Sequence, residues 1–123
     1  MNLHHAAVVA TSEKNCDQFY GDLLGLEKQR ARRIPAELMN AIFAINQETL
    51  AIDYGNDDLL MEVFITTPPE GRTVSHLCLK TPDREKLLAD CDRMNVPVLR
   101  VAKSDGGFIA FIEDFDGNRF EIK

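Results

Sequence analysis

Apolar and polar positions follow two periods along the chain, one typical of strands and one typical of helices. In the first half, an apolar run at residues 3–10 predicts a buried strand, and apolar residues at helical spacing follow it. Ser12 can cap this helix, and Gly25 can end it because glycine tolerates a left-handed conformation. Further strands are predicted at residues 26–33, 49–54 and 59–65, and a short helix with proline in its first turn at residues 35–43.

The second half repeats this order of elements. A strand is predicted at residues 74–80, and Asp83 can cap the helix that follows. Asn95 stands where Gly25 stood, and asparagine is the next most tolerant residue at such a position. Strands at residues 96–101, 108–113 and 119–123 complete this half. The repeat predicts a single domain, 1–123, made of βαβββ modules at residues 1–66 and 73–123, with a connector containing proline and glycine at residues 67–72.

The composition narrows the class of protein. With 123 residues, 45% of them hydrophobic and 28% charged, the chain fits one globular domain with a real core. The formal net charge of −6 argues against a nucleic-acid partner, because phosphate binding needs a concentrated basic surface. No apolar run approaches a membrane span, and the N-terminus lacks a signal-type apolar core. The 3 scattered cysteines fit a reducing compartment, so the sequence predicts a cytoplasmic protein. The charge and the absence of a long apolar run predict that it binds neither nucleic acid nor membranes.

One basic run interrupts this acidic background, KQRARR at residues 28–33. A run this short is more often the solvated face of a strand than a binding surface. We therefore interpret it as solvent-exposed.

A histidine enters each half of the chain, and a glutamate between apolar neighbours closes it. These residues are His5 and Glu62 in the first half, and His76 and Glu121 in the second. Imidazole and carboxylate are the ligands that zinc, nickel, manganese and ferrous iron accept. Alternate residues of a strand point to opposite faces, so His4 and His5 cannot both point into one site. The four matched residues predict a metal site.

Several longer motifs carry a resemblance to a known family. They are DQFYGDLLGLE, LLMEVF, SHLCLKTPD and the closing stretch AFIEDFDGNRFEI. The chain resembles the vicinal oxygen chelate superfamily, also called the glyoxalase–bleomycin resistance–dioxygenase family, and within it glyoxalase I (lactoylglutathione lyase). The resemblance implies an α+β fold of two tandem βαβββ modules, with curved mixed sheets that form a metal-binding cleft. It also implies a homodimer, and it assigns the metal ligands to His5, Glu62, His76 and Glu121.

The resemblance further implies a reaction. A divalent metal, with nickel or zinc favoured and cobalt, manganese or iron as alternatives, stabilises an enediolate as a proton leaves the carbon beside a carbonyl. Glu121 is the implied general base, and Glu62 is its partner carboxylate. Arg72 and Lys103 match basic positions of the family and are the implied substrate contacts. The expected substrate is a small 2-oxoaldehyde thiol adduct.

The chain also departs from glyoxalase I. Val9 and Thr66 stand where that enzyme often has an arginine and an asparagine that contact glutathione, so the thiol cosubstrate stays open. The interval from histidine to glutamate is longer in the first half, by about the length of the segment at residues 35–46, which could form a lid or a pocket wall. The alternative functions are an extradiol-type dioxygenase, an epimerase of the same superfamily, and a non-catalytic drug-binding protein of the bleomycin-resistance kind.

Overall fold

The computed structural model describes residues 4–67, 76–103 and 106–123. The chain divides into two compact units, Met1–Pro68 and Pro69–Lys123. The α+β class, the tandem modules and the mixed sheets predicted from the sequence are confirmed. The predicted boundaries 1–66 and 73–123 stay a prediction, and the connector at 67–72 lies outside the described residues except for Thr67.

Local signals account for the helical segment of the first unit. Ser12 caps the first turn, because its side chain accepts a hydrogen bond of 3.3 Å from the amide of Asn15. The chain leaves the helical segment at Gly25, whose φ of +68° lies in the left-handed region that glycine tolerates. The elements of this unit are β1 (Ala6–Ala10), α1 (Glu13–Cys16) with a π-helical continuation (Asp17–Leu23), β2 (Glu27–Ile34), α2 (Ala36–Phe43), β3 (Thr49–Gly55) and β4 (Leu60–Ile65).

The first sheet has the strand order β1-β4-β3-β2, with β1 and β4 parallel and the other pairs antiparallel. Asp53 lies directly opposite Glu62, so these side chains share one face. Tyr54 points to the other face, where its ring lies 5.4 Å from that of Tyr20. Its hydroxyl donates a hydrogen bond of 2.7 Å to Asp17. The π-helical segment therefore covers the face that does not carry Glu62.

Helix α2 lies on the opposite side of this sheet. Its Met39 is buried in a cluster with Ala51 and Phe64. Ala51 and Phe64 are cross-strand partners on the same face as Glu62, because Phe64 follows Glu62 by two residues on β4. The predicted helix at residues 35–43 is confirmed, and it covers part of the sheet face that carries a predicted metal ligand.

The second unit has the same topology. Its strand order is β5-β8-β7-β6, with β5 and β8 parallel and the other pairs antiparallel. Asp83 caps its helix by accepting a hydrogen bond of 2.9 Å from the amide of Lys86, and Asn95 ends it with a φ of 57°. The elements are β5 (Leu77–Leu79), α3 (Arg84–Met94), β6 (Val98–Ala102), β7 (Phe108–Glu113) and β8 (Arg119–Ile122).

The two faces of the second sheet differ in burial. Phe111 lies opposite Glu121, so both share one face. The other face carries buried side chains, and α3 contributes buried residues to the same unit. These are Ala110, Ile112, Phe120 and Ile122 of the sheet, and Leu88 and Cys91 of α3. No helix within the described residues is long and apolar enough to cross a membrane.

Candidate metal centre

His5 and Glu62 form a close pair in the first unit. Parallel pairing places Ala7 beside Glu62, and His5 shares the face of Ala7 by strand alternation. The Nε2 atom of His5 lies 3.3 Å from an oxygen, Oε2, of Glu62. The Nδ1 atom of His5 lies 3.1 Å from the Nδ1 atom of His4. The imidazole of His5 therefore contacts His4 on one side and presents its other nitrogen to the carboxylate.

His76 and Glu121 form the equivalent pair in the second unit. The Nε2 atom of His76 lies 3.5 Å from Oε2 of Glu121. The ring of Phe111 packs edge-to-face on the imidazole, with ring centroids 5.4 Å apart. Cys78 of β5 is the neighbour of Glu121 in the parallel pair, and its side chain is exposed. Both modules thus bring one imidazole nitrogen close to one carboxylate oxygen.

The spacing within each pair fits ligands that share a metal ion. Two ligands with bonds of about 2.0–2.2 Å to one ion lie about 2.8–3.6 Å apart for angles between 90° and tetrahedral. The observed separations of 3.3 Å and 3.5 Å lie in this range. Among residues 4–67, 76–103 and 106–123, no group of three or more histidine, cysteine or acidic side chains is arranged to hold a metal. The structure thus supplies two-ligand pairs, one in each unit.

The carboxylate of Glu62 has a second partner on its other oxygen. Arg32 donates a hydrogen bond from Nη2 to Oε1 of Glu62. Its Nη1 donates to both carboxylate oxygens of Asp53, each at 2.9 Å. The hydrogen bonds to Asp53 raise the pKa of Arg32 above its usual value, although burial of the guanidinium opposes this, so the group stays charged.

Neither Arg32 nor Asp53 stands out in the sequence. The interpretation of residues 28–33 as a solvated strand face is correct for Lys28, Arg30 and Arg33, which are exposed. It is wrong for Arg32, which is half-buried between two carboxylates. The sequence holds only a weak signal for this contact, because the register that joins β2 to β3 must be known before the partner of Arg32 can be found.

Glu121 has a different environment. Its Oε1 atom lies 3.3 Å from Nζ of Lys123, a side chain that is 67% exposed. The same sheet face carries the apolar residues Phe111 and Ile109 of β7 and Leu99 and Val101 of β6, and it also carries Arg119, whose guanidinium is bound to Glu113. An exposed lysine restrains a carboxylate only weakly, because solvent screens the ion pair and the long side chain loses entropy when it is held. Glu121 is therefore less firmly held than Glu62.

The structure gives less information on the predicted substrate contacts. Arg72 lies outside the described residues. Lys103 lies in the loop between β6 and β7, where its amide donates a hydrogen bond of 2.8 Å to the carbonyl of Gly107. Thr66, which stands where glyoxalase I often has asparagine, accepts a hydrogen bond of 2.6 Å from Gln47 on its hydroxyl. The roles of Arg72 and Lys103 stay predictions.

The matched pairs and the paired sheets agree with a comparison against known families. Residues 2–122 match the model of the Glyoxalase/Bleomycin resistance protein/Dioxygenase superfamily. The chain belongs to this superfamily. The resemblance inferred from the sequence motifs is thereby confirmed. No protein of curated function matches this member of the superfamily.

Solved structures show the same superfamily fold. A glyoxalase family protein from Enterococcus faecalis is 21% identical, with a TM-score of 0.73, over 98% of this chain and 95% of that one. The trypanothione-dependent glyoxalase I of Leishmania major is 19% identical, with a TM-score of 0.75, over 99% and 85%. The fosfomycin resistance protein FosX of Listeria monocytogenes is 13% identical, with a TM-score of 0.74, over 99% and 91%. At these identities the likeness shows the fold, and a fold does not determine a reaction.

Proposed function

We propose that this protein is a metal-dependent isomerase or lyase of the glyoxalase I type. It transfers a proton between the carbons of a small 2-oxoaldehyde thiol adduct. One observation carries the proposal: each module holds a histidine nitrogen and a glutamate oxygen at a separation that suits shared metal ligands, 3.3 Å and 3.5 Å. A non-catalytic binding module has no need of such a pair in both modules.

The proposed metal ligands are His5, Glu62, His76 and Glu121. Imidazole and carboxylate favour a divalent ion, for which we propose nickel or zinc first and cobalt, manganese or iron as alternatives. A FosX structure of the same fold, 12% identical with a TM-score of 0.72, contains Mn(II). A bound divalent ion would polarise the carbonyl of the substrate and so make the adjacent proton more acidic.

The surroundings of the two glutamates support different roles. Glu62 is held by Arg32, which is itself held by both oxygens of Asp53. Glu121 lies 3.5 Å from His76, and its other oxygen lies 3.3 Å from Lys123, a lysine that is 67% exposed. A general base must move to take the proton from one carbon and return it to the next. We therefore assign the base to Glu121 and a fixed ligand role to Glu62.

The remaining proposals concern the substrate and the assembly. Arg72 and Lys103 would bind the anionic groups of the thiol part of the substrate, and the apolar residues beside Glu121 would contact its carbon chain. We propose a homodimer, as in the glyoxalase I branch. A cytoplasmic location fits Cys16, Cys78 and Cys91, none of which forms a disulfide within the described residues.

The first test combines metal analysis with an activity assay. We expect purified protein to hold one divalent metal ion for each four-ligand site. Metal-free protein reloaded with nickel, zinc, cobalt or manganese should isomerise the hemithioacetal of methylglyoxal and glutathione, or of another small thiol. If the protein binds a metal, lacks isomerase activity and consumes oxygen in the presence of catechols, it is a dioxygenase and the proposal is wrong. If the folded protein binds neither these four metals nor iron, a metal-free binding module would replace the proposal.

A pair of variants tests the ligand assignment. Glu121→Ala should reduce the metal content to background in a protein that stays folded. Glu113→Ala is the matched control, because this glutamate lies on the neighbouring strand and its carboxylate accepts hydrogen bonds of 2.9 Å and 2.6 Å from Arg119. The control should keep its metal. Unchanged metal content in Glu121→Ala would remove Glu121 from the ligand set.

A further inference from the structure

A chain of polar contacts crosses the first sheet from its edge to the His5–Glu62 pair. Arg32 of β2 binds Asp53 of β3 through two hydrogen bonds of 2.9 Å and binds Oε1 of Glu62 on β4. The other oxygen of Glu62 lies 3.3 Å from Nε2 of His5. The two oxygens of Glu62 thus have separate partners, one on the arginine side and one on the histidine side.

The contact is more buried than an ordinary surface ion pair. The side chains of Arg32, Asp53 and Glu62 are 27%, 15% and 13% exposed. The neighbouring pair Arg33–Glu48 is 70% and 56% exposed. Charge-assisted hydrogen bonds with a planar guanidinium restrict the orientation of a carboxylate most where solvent is excluded.

A β-bulge places Arg32 in this position. The register between β2 and β3 shifts between Lys28 and Arg30, after which Arg32 lies opposite Ala51. Without the shift, Ala31 would lie opposite Ala51, and Arg32 would point to the other face of the sheet. Strands β6 and β7 pair without such a shift, and the cross-strand neighbour of Glu121 is Phe111. The arrangement around Glu62 is therefore not a simple copy of the repeat.

We propose that Arg32, held by Asp53, is a positioning residue that orients the carboxylate of Glu62 for metal binding. The inference rests on the proposed metal site. Arg32 binds Oε1, and this leaves Oε2 directed to the same point as the imidazole nitrogen of His5. Asp53 neutralises the guanidinium, so that the negative charge of Glu62 stays available to a cation.

The test must separate orientation from charge. Removal of Arg32 alone also removes a positive charge, which would by itself strengthen cation binding. The double variant Arg32→Met/Asp53→Asn removes both charges of the pair, so the net charge stays the same and only the hold on Glu62 is lost. Mutation of residues that hydrogen-bond a metal ligand without touching the metal typically lowers metal affinity by about 10–100-fold, and we expect a loss in this range.

The measurement is the dissociation constant of nickel or zinc alone, by chelator competition on metal-free protein. Arg33→Met/Glu48→Gln is the matched control, because it removes an exposed ion pair whose arginine lies next to Arg32 on β2. This control should bind the metal as the wild type does. Arg32→Lys keeps the charge but cannot reach two carboxylates with a planar fork, and it should also bind more weakly. Far-UV circular dichroism and thermal unfolding without metal show whether each variant is folded.

The outcomes are distinguishable. Weaker binding by both Arg32 variants, with unchanged binding by the control, supports the positioning role. If Arg32→Met/Asp53→Asn or the folded Arg32→Lys protein binds metal as tightly as the wild type or more tightly, the positioning role is wrong, while the proposed function stands. If the wild type and the control bind no metal, the proposed function fails, and the role of Arg32 fails with it.

Discussion

Met39→Ala should destabilise the first unit, because Met39 attaches α2 to the sheet face that carries Glu62. Its side chain is 1% exposed and packs with Ala51 and Phe64. The substitution removes three heavy atoms, with a transfer loss of about 0.8 kcal/mol for each methylene-sized group and an added cavity term. We expect a loss of about 2–4 kcal/mol in the free energy of unfolding. An eight-residue helix is not stable alone in water, so α2 should lose its structure when this contact is lost.

The chain offers a matched control and a local probe. Leu38 lies on the same helix and is 50% exposed, so Leu38→Ala should cost less than about 1 kcal/mol. Alanine favours helix in both variants, so intrinsic helix propensity does not explain a loss. The protein has no tryptophan and 2 tyrosines, so tyrosine fluorescence during urea unfolding reports on the first unit, where both are buried. Equal losses in the two variants would show that Met39 does not attach α2.

Three further outcomes follow from other parts of the molecule. Near pH 7.5 a thiol reagent should modify the exposed Cys78 rapidly and Cys91 only after unfolding. The reason is that burial shields the Cys91 thiol and raises its pKa to about 11. Rapid modification of a folded Cys78→Ser protein would contradict this expectation. Burial opposes ionisation of Asp17, but hydrogen bonds from Tyr54 and Lys28 lower its pKa below 3.8. The loss of stability caused by Asp17→Asn should therefore be complete above that pH and should shrink as the pH falls further. A difference in urea unfolding that does not change with pH would refute this expectation. Ala44→Gly should stabilise the protein by about 0.5–1 kcal/mol in the same assay, because Ala44 ends α2 with a φ of 58°, and a loss of stability would show that this backbone strain is absent.

Local chemistry allows the elements to be predicted from the sequence. Ser12 and Asp83 accept hydrogen bonds from amides three residues later, and Gly25 and Asn95 adopt left-handed conformations after the helices. Each of these contacts lies within a few residues of the chain, so composition and spacing carry the information. The π-helical form of the segment Asp17–Leu23 is an exception, because one helical period alone does not distinguish it from an α-helix.

The candidate site shows the same division. Strand alternation predicts that only one of His4 and His5 can enter the site, and the repeated pattern favours His5. The structure places Nε2 of His5 3.3 Å from the carboxylate of Glu62. The motif order was also sufficient to indicate the superfamily, which the match to residues 2–122 confirms. The joining of the four ligands on one ion stays a prediction.

The contact of Arg32 with Glu62 was decided only by the tertiary structure. The basic run at residues 28–33 contains several arginines, and nothing in their order indicates which one is buried. A bulge between Lys28 and Arg30 shifts the pairing by one residue and so turns Arg32 to the face of Glu62. A strand has a side-chain period of two, so such a shift exchanges the two faces, and it depends on the partner strand and not on the local sequence. The sequence therefore determines the elements and the candidate ligands, while the register between strands determines what holds them in place.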